Sequence, residues 1–486
     1  MNGKKVFSNI IWRFFERFGA QGVTLIVSIV LARLLDPQVY GTVAIVTALI
    51  SILEVFIDSG LGNALIQKLH ADDLDFSSVF YFNLAVCLIL YAILFFCAPA
   101  IAAFYKIDEL TALIRVLGLT LIISGVKNIQ QAYVAKNMLF KRFFFATLGG
   151  TIGAAVVGIL MALKGYGVWA VVAQHLFNAT VDTIILWVTV QWRPKRMFSF
   201  ERLKGLFSYG WKLLAAQLLD TVYAKIRSLI IGKKYSSEDL SYYDRGEQIP
   251  TFISSSINTA IVSVLHSAMA LEQENPESVK KMIKRGNVVS TYILMPALIG
   301  IAACAETLVS VVLTGKWLPC VPYLRIFCIC YAFFPFHLTN LSAIKAMGRS
   351  DIFLKLEILK KVFQTILILV SMQFGVIYMA YSLLIDEFLS QIVNSWPCKK
   401  LVGYGYLEQM KDMLPNILLT GFMFVAVYFL NRLSCNKILL LIIQVVTGAI
   451  IYVFSSFLLK TEGFRTAKNL IIQLLQKRKN ATNIDS

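Results

Sequence analysis

The chain has 486 residues, 58% of them hydrophobic and only 15% charged, with a net charge of +18. Soluble domains carry about 25% charged residues, so this composition belongs to a polytopic membrane protein. The excess Lys and Arg does not read as a nucleic-acid surface. It sits in short loops beside apolar runs, where it sets topology and meets anionic headgroups.

Fourteen apolar stretches of about 20 residues are each long enough to cross a hydrocarbon core of ~30 Å as a helix. Lipid offers no partners to backbone polar groups, so helices are required. The start, Met1 to Arg17, is basic and amphipathic with no small-residue cleavage site, which predicts no cleavable signal peptide. The spans are placed at 18–35, 41–65, 78–102, 111–133, 144–163, 168–190, 207–231, 249–270, 288–314, 323–344, 352–374, 376–396, 413–430 and 438–459. Lys355, Glu357, Lys360 and Lys361 crowd the start of the eleventh, so 362–385 could instead be one helix and the total thirteen.

Loop charge predicts that both termini are cytoplasmic. On that side lie Lys4, Lys5 and Arg13, then Lys136, Lys141 and Arg142, then Arg193, Lys195, Arg196, Arg202 and Lys204. Lys280, Lys281, Lys284, Arg285, Lys399, Lys400 and a basic tail follow. The loop 66–77 dissents, with Asp72, Asp73 and Asp75 against Lys68, but acidic residues weigh little in this rule. The expected organisation is a six-helix lobe over 1–190, a basic cytoplasmic linker over 191–206 and a second six-helix lobe over 207–396. Two additional helices fill 397–459, and an amphipathic basic tail occupies 460–486. The fold is thus all-α, with about fourteen transmembrane helices.

The halves share a weak repeat. Ala20-Gln21, Leu31-Ala32-Arg33 and Asp36-Pro37-Gln38-Val39-Tyr40 correspond to Ala216-Gln217, Ile231-Gly232-Lys233 and Ser237 to Tyr242. Ile57-Asp58 corresponds to Ile257-Asn258. Six spans per unit make such a repeat parallel, a form that in transporters encloses a midplane site and rocks about it.

Polar residues inside spans outline that site, because an isolated charge at the bilayer centre costs ~2.5–3.5 kcal/mol. Arg17, Gln21, Thr24 and Ser28 share one face of the first span. Lys212, Gln217, Asp220 and Arg227 line the seventh, with Lys225 to one side. The fourth contributes Arg115 and Lys127. Arg17, Lys127 and Lys212 lie near the cytoplasmic edge, where snorkelling to headgroups explains them equally well. Arg115, Lys225 and Arg227 sit in outer halves and fit a cationic cavity for an anion, and Arg suits phosphate through its planar donor fork.

Glu54 and Asp58 share a face of the second span. They and Asp220 are candidates for H+ or Na+ coupling or for ion pairs with the basic residues. Glu306 and Arg325 read as a structural pair, and His175, beside Asn178 and Asp182, as a packing residue. The glycines of Asp58-Ser-Gly-Leu-Gly62 suit close helix contact. The eight scattered cysteines suggest neither metal site nor disulfide framework, and no cofactor or catalytic motif is present.

Val30-Leu-Ala-Arg-Leu-Leu-Asp-Pro-Gln-Val-Tyr-Gly41, Ile57-Asp-Ser-Gly-Leu-Gly-Asn-Ala-Leu-Ile-Gln-Lys68 and Gly165-Tyr-Gly-Val-Trp-Ala-Val-Val172 carry a family resemblance. Phe207-Ser-Tyr-Gly-Trp211 and Tyr242-Tyr-Asp-Arg-Gly246 belong with them. From Trp12 to about Tyr406 the chain resembles the polysaccharide-transporter branch of the MOP flippase superfamily, and most of all its WzxC-like O-antigen and exopolysaccharide flippases. The resemblance implies a V-shaped two-lobe fold with a cationic cavity. It also implies transfer of undecaprenyl-pyrophosphate-linked oligosaccharide from the cytoplasmic to the periplasmic leaflet of a bacterial inner membrane. Polysaccharide polymerase and assembly proteins would be partners. In that picture Arg17, Arg115, Lys212, Lys225 and Arg227 attract the pyrophosphate. Two alternatives stand beside it. A multidrug antiporter of the same superfamily would have twelve spans and an acidic cavity. A membrane polymerase or ligase would need catalytic Arg and His in a large periplasmic loop.

Overall fold

The computed structural model describes residues 3–466 except Ser59 and Ser434, together with Lys468. Side chains of 3–18, Asp58, Phe140, Tyr209, Ser256, 258–264, 266 and 267 lie outside the described set, as does most of the expected amphipathic tail. Among the described residues the regular structure is helical throughout. The helices are α1 (Gly3–Leu34), α2 (Pro37–Asp58), α3 (Leu61–Gln67), α4 (Asp73–Tyr105), α5 (Leu110–Leu117), α6 (Leu119–Lys136), α7 (Phe140–Leu163), α8 (Val168–Thr189), α9 (Phe200–Lys234), α10 (Ser237–Leu271), α11 (Pro276–Ala303), α12 (Ala305–Val312), α13 (Val321–Ala346), α14 (Ser350–Ser371), α15 (Val376–Val402), α16 (Tyr406–Phe429) and α17 (Lys437–Leu458).

Among the described residues, ten helical stretches are long and apolar enough to cross a membrane, with α5–α6 counted as one. Helices α1, α9, α10 and α14 are of comparable length but outside those ten, α1 showing only a shorter apolar stretch, Gly19–Leu34. Charge explains α9, which holds Lys212, Asp220, Lys225 and Arg227, and α14, which holds Lys355, Glu357, Lys360 and Lys361. The reading of 362–385 as one helix is overturned. Gly375, at φ +133, breaks the chain between α14 and α15 in a conformation that other residues rarely adopt.

The chain divides into two compact units, Met1–Ser241 and Tyr242–Ser486. In the first, α7 packs against α1 and α8, α6 packs against α4 and α8, and α9 lies on α2, α3 and α4. In the second, α11 and α15 both pack on α13, with α14 on α15 and α16 on α11. The C-terminal helices are tied in by polar bonds. Asn416 donates to the Val288 carbonyl and Thr291 hydroxyl, both at 3.0 Å, and the Tyr452 hydroxyl donates to the Tyr292 carbonyl at 3.0 Å.

The repeat recurs in backbone detail. At the α1–α2 joint the Leu35 amide donates to the Leu31 carbonyl at 2.8 Å. At the α9–α10 joint the Tyr235 amide donates to the Ile231 carbonyl at 2.9 Å, 200 residues on. The α6–α7 turn has Met138 at φ +55 and a bond from Leu139 to Val134. The α13–α14 turn has Gly348 at φ +72 and a bond from Arg349 to Ile344.

Helix α2 packs along α9, and close glycine contacts flank that packing, one with Ser237 at the start of α10 and one between the α2–α3 link and α9. A Cβ on Gly41 would collide with the Ser237 backbone, and one on Gly210 would lie 2.8 Å from the Gly60 carbonyl oxygen. The resembling motifs at 30–41, 57–68 and 207–211 thus supply the contacts that hold these two helices together. Gly210→Val should force α2 and α9 apart and cost about 1–3 kcal/mol. Gly205→Ala on the same helix, with nothing within 4 Å of the new carbon, should not destabilise. Unfolding midpoints of the two variants in detergent check this.

Candidate functional site

The candidate site residues with described side chains all lie in the first unit. Gln21 and Thr24 are exposed on α1, and Thr24 turns its hydroxyl back to the Ala20 carbonyl at 2.8 Å. Ser28 is half-buried. On α9, Lys212, Ala216, Gln217, Asp220 and Ala224 are exposed at helical spacing, so protein leaves this stripe uncovered. Lys225 is half-buried, while Arg227 is only 5% exposed. Its Nε and Nη2 have no hydrogen-bond partner among the described residues. A buried guanidinium with two free donors lacks the compensation that such groups ordinarily find.

Other candidates are engaged. Arg115 donates from Nε to the Phe95 carbonyl at 3.3 Å and stacks 4.3 Å from the Phe95 ring centroid, which fastens α5 to α4. Arg325 makes the same kind of bond, to the Ala302 carbonyl at 3.3 Å, and pairs with Glu306 at 3.0 Å. Lys127 pairs with Asp182 at 3.3 Å, linking α6 to α8. Glu54 accepts from the Ser124 hydroxyl at 3.3 Å. His175 is exposed, and Asn178 lies against Gly150 of α7. The side chains of Arg17 and Asp58 lie outside the described residues.

Sequence reasoning missed the clamp at the end where the basic loops gather. The linker 191–199 is strapped to the start of α4. Trp192 donates to Asp73 at 2.8 Å and stacks on Tyr133 at 5.9 Å. The Lys195 and Ser199 amides donate to the Ser77 and Ser78 hydroxyls at 3.0 and 2.9 Å, and Lys195 pairs with Asp73 at 2.6 Å. Asp75, fully buried, holds Lys68 at 2.6 Å and has Arg202 3.8 Å away. The three aspartates that dissented from the charge rule are therefore neutralised in place. A cavity of about 730 Å³ opens beside this clamp, with Gln67, Lys68, Glu201 and Arg202 in its wall. The available signal was Trp192 directly before Arg-Pro-Lys, opposite two serines at the head of an apolar helix.

Asp72 caps α4 through the Asp75 amide at 2.9 Å in a reciprocal capping box. The Asp75 backbone N–H, above all, holds its carboxyl below the ordinary 3.8, with Arg202 adding to this.

A helical membrane protein of the MOP superfamily fold is the class these features define. The match to a lipid II flippase MurJ in an inward-closed conformation has a TM-score of 0.74, with 14% identity over 93% of this chain and 99% of that one. An inward-facing multidrug MATE transporter of the MOP superfamily matches at 0.59, with 17% identity over 82% and 95%. The family model described as "Polysaccharide biosynthesis protein" matches residues 30–322, and the chain belongs to that family. Among its relatives, succinoglycan biosynthesis transport protein ExoT of Rhizobium meliloti is 23% identical over 65% of this chain and 64% of its own length. Teichuronic acid biosynthesis protein TuaB of Bacillus subtilis is 23% identical over 82% and 84%. Lipopolysaccharide biosynthesis protein WzxC of Escherichia coli is 20% identical over 84% of each chain.

Trp192→Ala should cost about 3–5 kcal/mol by leaving a cavity between Phe76 and Tyr133. Asp72→Ala should cost about 0.5–2 kcal/mol as a lost cap. Because the folded state depresses the Asp72 carboxyl, its contribution is present above the ordinary 3.8 and lost as pH falls through the lower folded value. Wild type and Asp72→Ala should therefore differ in unfolding midpoint at neutral pH and converge under strong acid.

Proposed function

We propose that this chain is a flippase that carries undecaprenyl-pyrophosphate-linked oligosaccharide repeat units across a bacterial inner membrane, from the cytoplasmic to the outer leaflet, for O-antigen or exopolysaccharide biosynthesis. The observation that carries the reading is Arg227, buried with two nitrogens unbonded, at the end of the uncovered polar stripe of α9. An anion with several acceptor oxygens would satisfy those donors, and a pyrophosphate matches the guanidinium fork. Lys225 and Lys212 add charge along the same helix, Arg17 adds it on α1, and Gln21, Thr24, Ser28 and Gln217 offer hydrogen bonds to sugar hydroxyls. The family, and the transport and biosynthesis roles in the names of ExoT, TuaB and WzxC, support this substrate class.

In this reading both termini are cytoplasmic. The moving parts are two six-helix lobes, 1–190 and 207–396, joined by the linker 191–206, with 397–459 as an addition. Glu54, Asp58 and Asp220, in the same part of the chain, are candidates for coupling to H+ or Na+. Polymerase and assembly proteins would take up the delivered units. The polyprenyl tail stays in lipid while the charged head passes through protein.

The test is the leaflet location of lipid-linked oligosaccharide in spheroplasts, read with a membrane-impermeant glycan probe. Deleting the gene should trap the units in the cytoplasmic leaflet, and the Lys225→Gln/Arg227→Gln double variant should fail to release them while accumulating to normal protein levels. A loss of about 10²–10⁴-fold is expected if both contacts to a desolvated pyrophosphate go, at roughly 1.5–3 kcal/mol each. Normal export by the double variant, or units already facing outward in the deletion strain, would overturn the reading.

A further inference from the structure

The second unit contains a buried titratable cluster that the reading above does not use. His337 Nδ1 on α13 and Glu387 Oε2 on α15 lie 3.2 Å apart, with side chains only 11% and 15% exposed. The separation is that of a hydrogen bond but the alignment is not, and both atoms are unbonded. One and two turns along the same face of α15, Gln391 and Asn394 are fully buried, and the amide oxygen and nitrogen of each have no partner among the described residues. Native proteins leave few buried amides so, and two in successive turns beside a His–Glu pair mark a site built for a changing occupant.

The surroundings narrow the occupant. On α13, Tyr331 and Phe334 precede His337 at steps of three, and the Phe334 ring lies 4.6 Å from the imidazole. Tyr331 donates to Glu247 of α10 at 2.7 Å, and the Thr251 side chain, one turn on, also interacts with it. Asp386 neighbours Glu387 on α15. Among the neighbouring helices, α14 carries Glu357 and Lys360, bonded to each other at 2.6 Å, and Lys361. From α16 come Tyr406 and Gln409, and from α11 the amide of Asn287. Both helices facing Glu387's partners are interrupted, α10 by Pro250 and α13 by Pro335. Each proline lacks the N–H that would otherwise bond the carbonyl four residues back, on Gly246 and Tyr331.

We propose that His337 and Glu387 form a proton-binding site that loads and unloads one proton during the transport cycle, resting on the flippase reading for what that cycle moves. With neutral imidazole and ionised carboxylate the pair carries one negative charge in a nearly dry place, which is costly. One added proton, on either partner, makes the pair neutral overall, as an ion pair or as a neutral acid beside a neutral base. The free amides of Gln391 and Asn394 each offer a donor and an acceptor, so they can follow the carboxyl in either state. A metal ion is the poorer occupant, because no group of three His, Cys, Asp or Glu able to hold one occurs among the described residues.

The full chain labelled with ¹⁵N-histidine and placed in lipid nanodiscs has four imidazoles to follow by NMR. One signal, absent in His337→Gln, should respond to pH, and Glu387→Gln should change that response. Glu387→Asp, which keeps the carboxylate, should retain the titration if the fold is intact. In vesicles, a pH gradient should speed movement of an undecaprenyl-pyrophosphate disaccharide by the wild type, and Glu387→Gln should lose that acceleration. A His337 signal insensitive to pH or to Glu387→Gln would overturn the proposal. So would a signal that follows NaCl at fixed pH, which would assign the site to a metal cation. If His337 titrates as described but the wild type moves no lipid, the site stands and the flippase reading fails.

Discussion

Hydrocarbon supplies no hydrogen-bond partners, and this constraint governs how both units are built. Each polar group within a span has to be met by the protein itself, and most are met locally. Thr42 returns its hydroxyl to the Gln38 carbonyl at 3.1 Å, and Thr291 does the same to Asn287 at 2.7 Å. Where a side chain cannot be met locally, it joins helices. Gln409 of α16 exchanges bonds with Asn340 of α13 at 3.0 Å each way and accepts from Asn287 of α11 at 3.2 Å. Three helices are thereby registered by three amides, in a medium where apolar contact alone gives little preference for one neighbour over another. Against that background of satisfaction, the unbonded nitrogens of Arg227 and the idle amides of Gln391 and Asn394 stand out as places where something else is expected to bind.

The same constraint sorts the basic residues. A count of Lys and Arg along the chain suggests one cationic lumen, but the side chains divide by partner. Arg115 and Arg325 bind helix carbonyls and act as joints. Lys136 caps the end of α3 through the Leu65 carbonyl at 3.0 Å and that of Lys68, and Lys233 reaches the Phe104 carbonyl and ring. Lys127 and Lys68 are held by aspartates. On α9, by contrast, Lys212 is exposed, and Arg227 is buried with Nε and Nη2 unbonded among the described residues.

Much of the architecture was legible because it follows from length and hydropathy. Spans three to six match α4, α5–α6, α7 and α8 to within a few residues at most ends, with Asp72 capping the start of α4 ahead of Asp73. The span placed at 41–65, by contrast, is broken after Asp58, and Leu61–Gln67 forms the separate helix α3. The charged helices α9, α10 and α14 were less clear, since a run such as Lys355 to Lys361 carries the helical period and the wrong polarity together. The site was less legible for a different reason. Trp192 and Asp73 are 119 residues apart, and His337 and Glu387 are 50 apart, so neither pairing leaves a local pattern. The linker 191–206, basic and containing Pro194, read only as a cytoplasmic connection between the halves. Its order comes from two serine hydroxyls that single-residue propensity cannot anticipate.

The repeat shows what such a duplication keeps and what it releases. The α1–α2 and α9–α10 turns carry matching backbone bonds, and Arg115 and Arg325 each donate to the carbonyl of a preceding helix. Side chains that face neither a joint nor a neighbour are free to diverge. The exposed stripe on α9 in the first unit carries Lys212, whereas in the second unit α10, α13 and α15 carry carboxylates, an imidazole and amides. Each unit thus puts a different set of polar groups on the same kind of helical scaffold, and within each the hydrocarbon constraint decides which of those groups are met by neighbours.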